Sequence, residues 1–458
     1  MNPLFASHIY QERRNRLSAA FSHGVALFLT NGESPINYPA NTYCYRQDSN
    51  FLYFFGLALP NIVGAVDFER RKSILFGDDF TIDDIIWMGD QPKLSDLAAQ
   101  VAADEVRPLA ELASFLKGKQ VHFTPPYRAE NKIELARLLG KNLDELTPSV
   151  ELIKKIVSLR EIKSLEEQVQ MAEANEIGVF MHTMVMKLCK PETTERQLFG
   201  IAESIALTMG DGTSFPIILS QNGQTLHNHD HSLTLEKGRL LVMDAGAENV
   251  MNYCSDHTRT LPVSGKFSAK QKEIYETVYR ANMAAIANCK PGIQNFENHK
   301  LAVTILTEGL QKIGLMKGNL EESVALGAHA LFMPHGLGHQ IGLDVHDMED
   351  LGENYVGYDD TIQRSNIFGY RSLRMAKTLR PGHVITIEPG IYFIPHLIDI
   401  WKKEKKFEAF INYDKVETYK DFGGIRIEDS VLITEEGSRV LGTHLPKSVD
   451  EIETILQS

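Results

Sequence analysis

Five residues of metal-binding type, Asp244, Asp256, His339, Glu388 and Glu428, recur through the C-terminal half of this chain, most of them beside short apolar runs. Asp244 ends Leu240-Leu241-Val242-Met243, and Asp256 sits in Cys254-Ser255-Asp256-His257-Thr258. Glu388 and Glu428 close Val384-Ile385-Thr386-Ile387 and Ile425-Arg426-Ile427. Such runs read as strands buried in a core. Four carboxylates and one imidazole gathered there as bare groups would pay heavily in desolvation and mutual repulsion. Cations remove that cost. Shared carboxylates with few nitrogens suit a pair of divalent ions, and a pair of ions suits hydrolysis by a hydroxide held between them.

With 458 residues the chain outgrows one hydrophobic core, so two domains are expected. A hydrophobic fraction of 43% with 23% charged residues is ordinary for a soluble globular enzyme and gives no sign of disorder. The net charge of -13 argues against a nucleic-acid partner, and the basic run Lys402-Lys403-Glu404-Lys405-Lys406 reads as a solvated helix face. Cys44, Cys189, Cys254 and Cys289 show no Cys-x-x-Cys spacing and read as reduced thiols. The first residues lack the apolar core of a signal peptide, and Gly24 to Thr30 is too short to span a bilayer. A cytoplasmic protein with no membrane partner is the expectation.

The first third alternates strand-like runs (Val25 to Leu29, Ser73 to Phe76) with helical patterns (Ser95 to Ala103, Lys132 to Leu139), as an α/β unit does. From about Glu151 the pattern becomes one long charged helical segment, so the boundary is expected near residues 155–163, giving domains 1–160 and 161–458. Helices are expected over 162–189, 194–209, 268–289 and 295–313, with strands over 214–220 and 239–244. Each half of the second domain then offers two helices and a strand pair with two carboxylates.

The words around the five residues are Met243-Asp244-Ala245-Gly246, Ser255-Asp256-His257-Thr258-Arg259-Thr260, His335-Gly336-Leu337-Gly338-His339, Leu343-Asp344-Val345-His346-Asp347, Ile387-Glu388-Pro389-Gly390-Ile391-Tyr392 and Gly424-Ile425-Arg426-Ile427-Glu428-Asp429. In this order they resemble the metallopeptidases of the pita-bread fold that cleave Xaa-Pro bonds, the prolidases and aminopeptidases P, and Tyr45 to Phe51 extends the likeness upstream. The resemblance implies an α/β N-terminal creatinase-like domain plus an α+β pita-bread catalytic domain with a curved, mostly antiparallel sheet. It implies two divalent ions, manganese first, with cobalt or zinc as alternatives. Proline-containing di- or oligopeptides are the expected substrates, and a homodimer the expected assembly. The words Arg371-Ser372-Leu373-Arg374 and Ile391 to Leu397 resemble prolidases more than the compact aminopeptidases P. Dipeptide and longer-peptide cleavage both stay open.

By the same resemblance Asp244 holds one ion, His339 and Glu388 the other, and Asp256 and Glu428 bridge both. Glu388 doubles as base. His346 donates to the oxygen of the tetrahedral intermediate, His335 faces the substrate, and His227 closes the proline pocket. Arg374 binds the free carboxylate of a C-terminal proline, Arg426 neutralises carboxylates or clamps substrate, and Tyr392 brings a hydroxyl near the metals. Plainer readings stand beside these. Asp244 and Asp256 could cap turns or pair with Arg259, Glu388 and Glu428 could be surface carboxylates at strand ends, His335 and His339 could be core histidines, Arg374 a surface ion pair and Tyr392 mere packing. The spacing of His335 and His339 resembles a zinc-peptidase helix, but Gly336 and Gly338 disfavour a helix and that motif's glutamate is missing. His229 and His231 are expected to face solvent. Asp244 and Asp256 stand twelve apart where the family commonly shows eleven, so either the turn at 249–251 is enlarged or the register slips and Asp256 faces away. Metal-free peptide-binding relatives and creatinase-type enzymes share these folds, and the intact ligand set argues against both.

Overall fold

The run Val25–Leu29 forms a largely buried inner strand of a five-stranded sheet, as an apolar stretch should. It pairs antiparallel with Val63–Asp67, which pairs antiparallel with Lys72–Phe76. The edge strands Val121–His122 and Glu105–Arg107 run parallel to their neighbours. Asp48 opens the helix Ser49–Phe55 by accepting the Phe51 N–H at 2.8 Å, and Gly56, at φ 68°, closes it in the left-handed region where only glycine is unstrained. In this computed structural model, which describes residues 3–457, the chain separates into one unit of Met1–Arg160 with Met348–Tyr355 and another of Glu161–Asp347 with Val356–Ser458. Among the described residues no helix is long and apolar enough to cross a membrane.

The second unit is built on short antiparallel ladders. Leu240–Ala245 lies between His257–Pro262 and Ile218–Ser220. Val384–Ile387 pairs with Asp429–Ile433, and Gly390–Tyr392 with Gly424–Arg426. The bridge Thr258 to Glu428 joins the two halves, with Arg259 beside it donating to Glu428 O and Asp429. Helices Leu165–Leu188 and Glu195–Met209 pack on each other in the first half, Ala269–Asn288 and Asn295–Lys312 in the second. Three of the four start at a capping box: Ser164 with Glu167, Thr194 with Gln197 and Ser268 with Gln271. An α/β first unit and an antiparallel α+β second unit were the expectation.

Two elements differ from it. The helical segment expected to run on from Glu151 is two helices, Val150–Arg160 and Leu165–Leu188. The break has a cause: Glu161 turns its carboxylate to Lys377 and Arg380, the Lys163 N–H bonds Gly382 O at 2.8 Å, and Ser164 caps a fresh start. The strand expected over 214–220 is cut to Gly212–Thr213 and Ile218–Ser220. Pro216 lies between them and has no N–H for a ladder.

Candidate metal centre

Asp244 is the fifth residue of the buried strand Leu240–Ala245, and Asp256 directly precedes His257–Pro262. The extra residue between them is taken up by the turn. Asn249 Oδ1 accepts the N–H groups of Met251 and Tyr253 at 3.1 and 3.0 Å, and Asn252 adopts φ 63°. The ladder keeps its register, with Asp244 opposite Thr258, and Asp256 turns inward. Its Oδ2 stands 3.4 Å from His339 Nε2. Ligand atoms of Asp256, His339 and Glu428, all three residues buried, lie within 4.8 Å of one another. Glu388 Oε1 lies 3.8 Å from the same His339 nitrogen.

The tautomer of His339 follows from its neighbours. Nδ1 lies 2.9 Å from Gln340 O, and a carbonyl only accepts, so Nδ1 carries the proton. Nε2 is left with its lone pair facing the carboxylates, the form a cation needs. Residues 335–339 are not helical, in line with the two glycines. A Cβ on Gly338 would stand 1.9 Å from Thr386 O, so this segment lies against its neighbouring strand only because residue 338 has no side chain.

Two hydroxyls that sequence reasoning passed over orient the glutamates. Thr258 Oγ1 donates to Glu428 Oε2 at 2.6 Å and accepts from Arg426 Nε at 3.0 Å. Thr386 Oγ1 accepts the His339 N–H at 3.1 Å and faces Glu388 Oε1 at 3.4 Å. Thr258 belongs to a motif word already singled out, but nothing in a sequence says that its hydroxyl meets a residue 170 positions away. Arg426 also pairs with Asp244 Oδ2 at 2.5 Å and donates to Tyr392 OH at 2.8 Å. The plainer pairing of Asp244 with Arg259 does not occur, since Arg259 holds Asp429. Tyr392 OH meets His335 Nε2 at 3.0 Å, while His335 Nδ1 lies 2.7 Å from Gly336 O and so carries the proton. Tyr392 therefore donates to His335 and is more than packing.

Electrostatics set the demand of the site. Burial, reinforced by Asp244 and Glu388, lifts the Asp256 carboxyl well above its ordinary range. Glu428 is lifted likewise by burial and by Asp256 and Glu388, and Glu388 is raised chiefly by burial. Burial lowers His339, and burial beside Arg426 takes His335 down to about 3, so both rings are neutral at neutral pH. Burial works against the Arg426 charge, yet Tyr392, Asp244 and Glu428 outweigh it and keep the guanidinium protonated. Asp244 Oδ1 and Asp256 Oδ1 are buried without a hydrogen-bond partner among the described residues. Carboxylate oxygens lacking donors, together with one lone-pair imidazole, fit divalent cations of the manganese, cobalt or zinc kind.

Two cavities open on this cluster. One, of about 190 Å³, has an apolar wall of Phe215, Pro216, Ile218 and Val345. The other, of about 370 Å³, is lined by His335, Arg374 and Arg426 among others, and His227 and His346 border both. Arg374 thus faces the cluster. Its Nη1 donates to His346 Nδ1 at 2.6 Å, which puts the His346 proton on Nε2, and the His346 ring meets that of His339 edge-on at 4.3 Å. His229 is exposed as expected, and it also lines the smaller cavity. His231, expected in solvent, is buried: Nδ1 bonds Leu219 O at 3.0 Å and the ring stacks on Phe199. An aromatic neighbour on the helix Glu195–Met209 draws it in, which no local pattern announces.

Comparison with known proteins places these features. Residues 169–435 match Metallopeptidase family M24, and residues 10–122 match Aminopeptidase P, N-terminal domain. The chain is 32% identical to the Xaa-Pro dipeptidase of Homo sapiens, covering 97% of this chain and 91% of that protein. It is 34% identical to a probable Xaa-Pro aminopeptidase of Fusarium vanettenii, covering 90% and 88%. Among solved structures it is similar to a zinc-substituted Escherichia coli aminopeptidase P in complex with product, with TM-score 0.82, 28% identity and 99% of each chain covered.

Proposed function

This chain belongs to metallopeptidase family M24, among the Xaa-Pro dipeptidases and aminopeptidases P, and on that premise we propose that it hydrolyses the bond between an N-terminal residue and proline, dipeptides before longer peptides. The observation that carries the dipeptide preference is that Arg374 lines the larger cavity, a cation of the kind that binds a substrate carboxylate. Asp244 would hold one ion, His339 and Glu388 the other, and Asp256 and Glu428 both, with manganese as the metal. Two such ions, when bound, supply an acidified water and polarise the scissile carbonyl.

The remaining work falls to the chain's own groups. Glu388, raised by burial, orients the nucleophile and passes its proton to the leaving nitrogen. His346, its Nε2–H set by Arg374, donates to the oxygen on which charge develops, a role whose loss costs about 3 kcal/mol. His227 closes on the pyrrolidine ring, burial beside Arg426 keeps His335 neutral, and the Tyr392 hydroxyl holds its ring toward substrate. A proline amide offers no N–H to a peptidase that pairs with substrate main chain. A site that grips the carbonyl and the ring avoids that need. We further propose a homodimer in the cytoplasm, where the four cysteines, which form no disulfide among the described residues, would stay reduced.

The test is kcat/KM for Ala-Pro against Ala-Pro-Ala with Mn2+ supplied. Faster dipeptide cleavage is expected. Tripeptides faster by about tenfold would remove the preference, a difference of about 1.4 kcal/mol at the transition state. Cleavage of neither would overturn the activity.

A further inference from the structure

Glu388 and Glu428 sit where the ladders break. Glu388 lies between the strands Val384–Ile387 and Gly390–Tyr392, and Glu428 between Gly424–Arg426 and Asp429–Ile433. Buried carbonyls at such breaks need donors from elsewhere. The carbonyls just before the two glutamates, Ile387 O and Ile427 O, share one side-chain donor: Asn282 Nδ2 donates at 3.0 and 3.3 Å. The orientation of this amide is forced, because two carbonyls accept only the NH2 end and the ammonium of Lys447 donates to Oδ1 at 3.1 Å. The same ammonium holds Asp429, the residue after Glu428, at 2.7 Å. Asn282 is wholly buried on the helix Ala269–Asn288.

We propose that Asn282 is a positioning residue for the metal centre: it ties together the two strand ends that carry Glu388 and Glu428, and so sets how tightly divalent ions are held. This rests on Glu388 and Glu428 being ligands, as argued under the proposed function. Asn282 acts only through the two peptide groups. On their N–H sides the two glutamates are held separately, Glu388 by Leu337 O at 2.8 Å and Glu428 by Thr258 O at 3.0 Å, so Asn282 is a donor that the two strand ends share. Without this shared donor the two strand ends lose the side chain that binds both, and the glutamates they carry gain freedom to shift apart. Lost support of this kind commonly costs about tenfold to a hundredfold in metal affinity.

The experiment titrates the metal-stripped full chain with Mn2+ by calorimetry, beside the metal-free melting temperature, for wild type and Asn282→Asp. That variant keeps the shape and the Lys447 contact and removes both donors. Should it not fold, Asn282→Ser, with a single donor, carries the same test. Wild type is expected to bind two ions, and the variant to bind at least one of them about tenfold more weakly. A lower melting temperature with Mn2+ affinity unchanged at both sites overturns the role of Asn282 and leaves the ligand assignment standing. Wild type that binds no Mn2+ overturns the ligand assignment, and this inference with it.

Discussion

Arg374 has two tasks that a kinetic split can separate. Its N–H fixes the His346 tautomer, and its place on the larger cavity suits a C-terminal carboxylate. Arg374→Ala should therefore raise KM for Xaa-Pro dipeptides more than for Xaa-Pro-Yaa, and lower kcat for both, with about tenfold to a hundredfold lost in dipeptide kcat/KM. Equal losses of kcat/KM on both substrates would mean that the guanidinium does not read the carboxylate. A second residue, far from any proposed ligand in sequence, governs acid stability. Burial keeps His299 neutral down to about 4, while an unfolded chain takes up that proton near its ordinary 6.5. Between those values the unfolded state binds more protons, so stability is lost as pH falls through the window, by roughly 2 kcal/mol at pH 5 from this group. His299→Phe should lessen the drop in urea midpoint between pH 7 and pH 5, and an unchanged drop would contradict it.

At the scale of elements, the segment between the helices Val150–Arg160 and Leu165–Leu188 is held by a buried ion pair, Lys163 Nζ to Asp347 Oδ2 at 2.9 Å. Asp347 follows His346, so the pair also steadies the loop that carries the proposed oxyanion donor. Lys163→Met removes one half of a buried ion pair and should cost about 3–5 kcal/mol in denaturant unfolding, part of it recovered when Asp347→Asn is added. Gly338→Ala should cost cation binding as well, because the new methyl displaces the His339 segment from Thr386. The strands bearing Asp244, Asp256, Glu388 and Glu428 were legible in sequence because apolar runs end where charge begins, and six words in order are specific. What stayed hidden depends on contacts between distant segments. Thr258 and Thr386 reach the glutamates only once the strands pair, Asn282 looks like any helix residue until the sheet breaks above it, and His231 is buried by Phe199. The break after Arg160 was hidden too, because the charge pairs that suggested helix are spent on Lys377 and Arg380 instead.

For the molecule as a whole, the centre is a debt carried by the fold. Asp256, Glu388 and Glu428 are each pushed toward protonation by burial and by neighbouring carboxylates, in a chain already at -13. Bound cations would discharge that strain, so metal should stabilise the fold and not merely activate it. Mn2+ at a hundred times its dissociation constant should add about 2.7 kcal/mol per site to unfolding, seen as a higher melting temperature that EDTA reverses. An identical melting temperature with and without Mn2+ would show that folding and loading are uncoupled. The central claim, that four carboxylates and one imidazole cage two ions, is tested most directly by an anomalous-difference map from crystals grown with Mn2+. Two peaks are expected between Asp256 and Glu428, one against Asp244 and one against His339 and Glu388. A map with no peak at these side chains would contradict it.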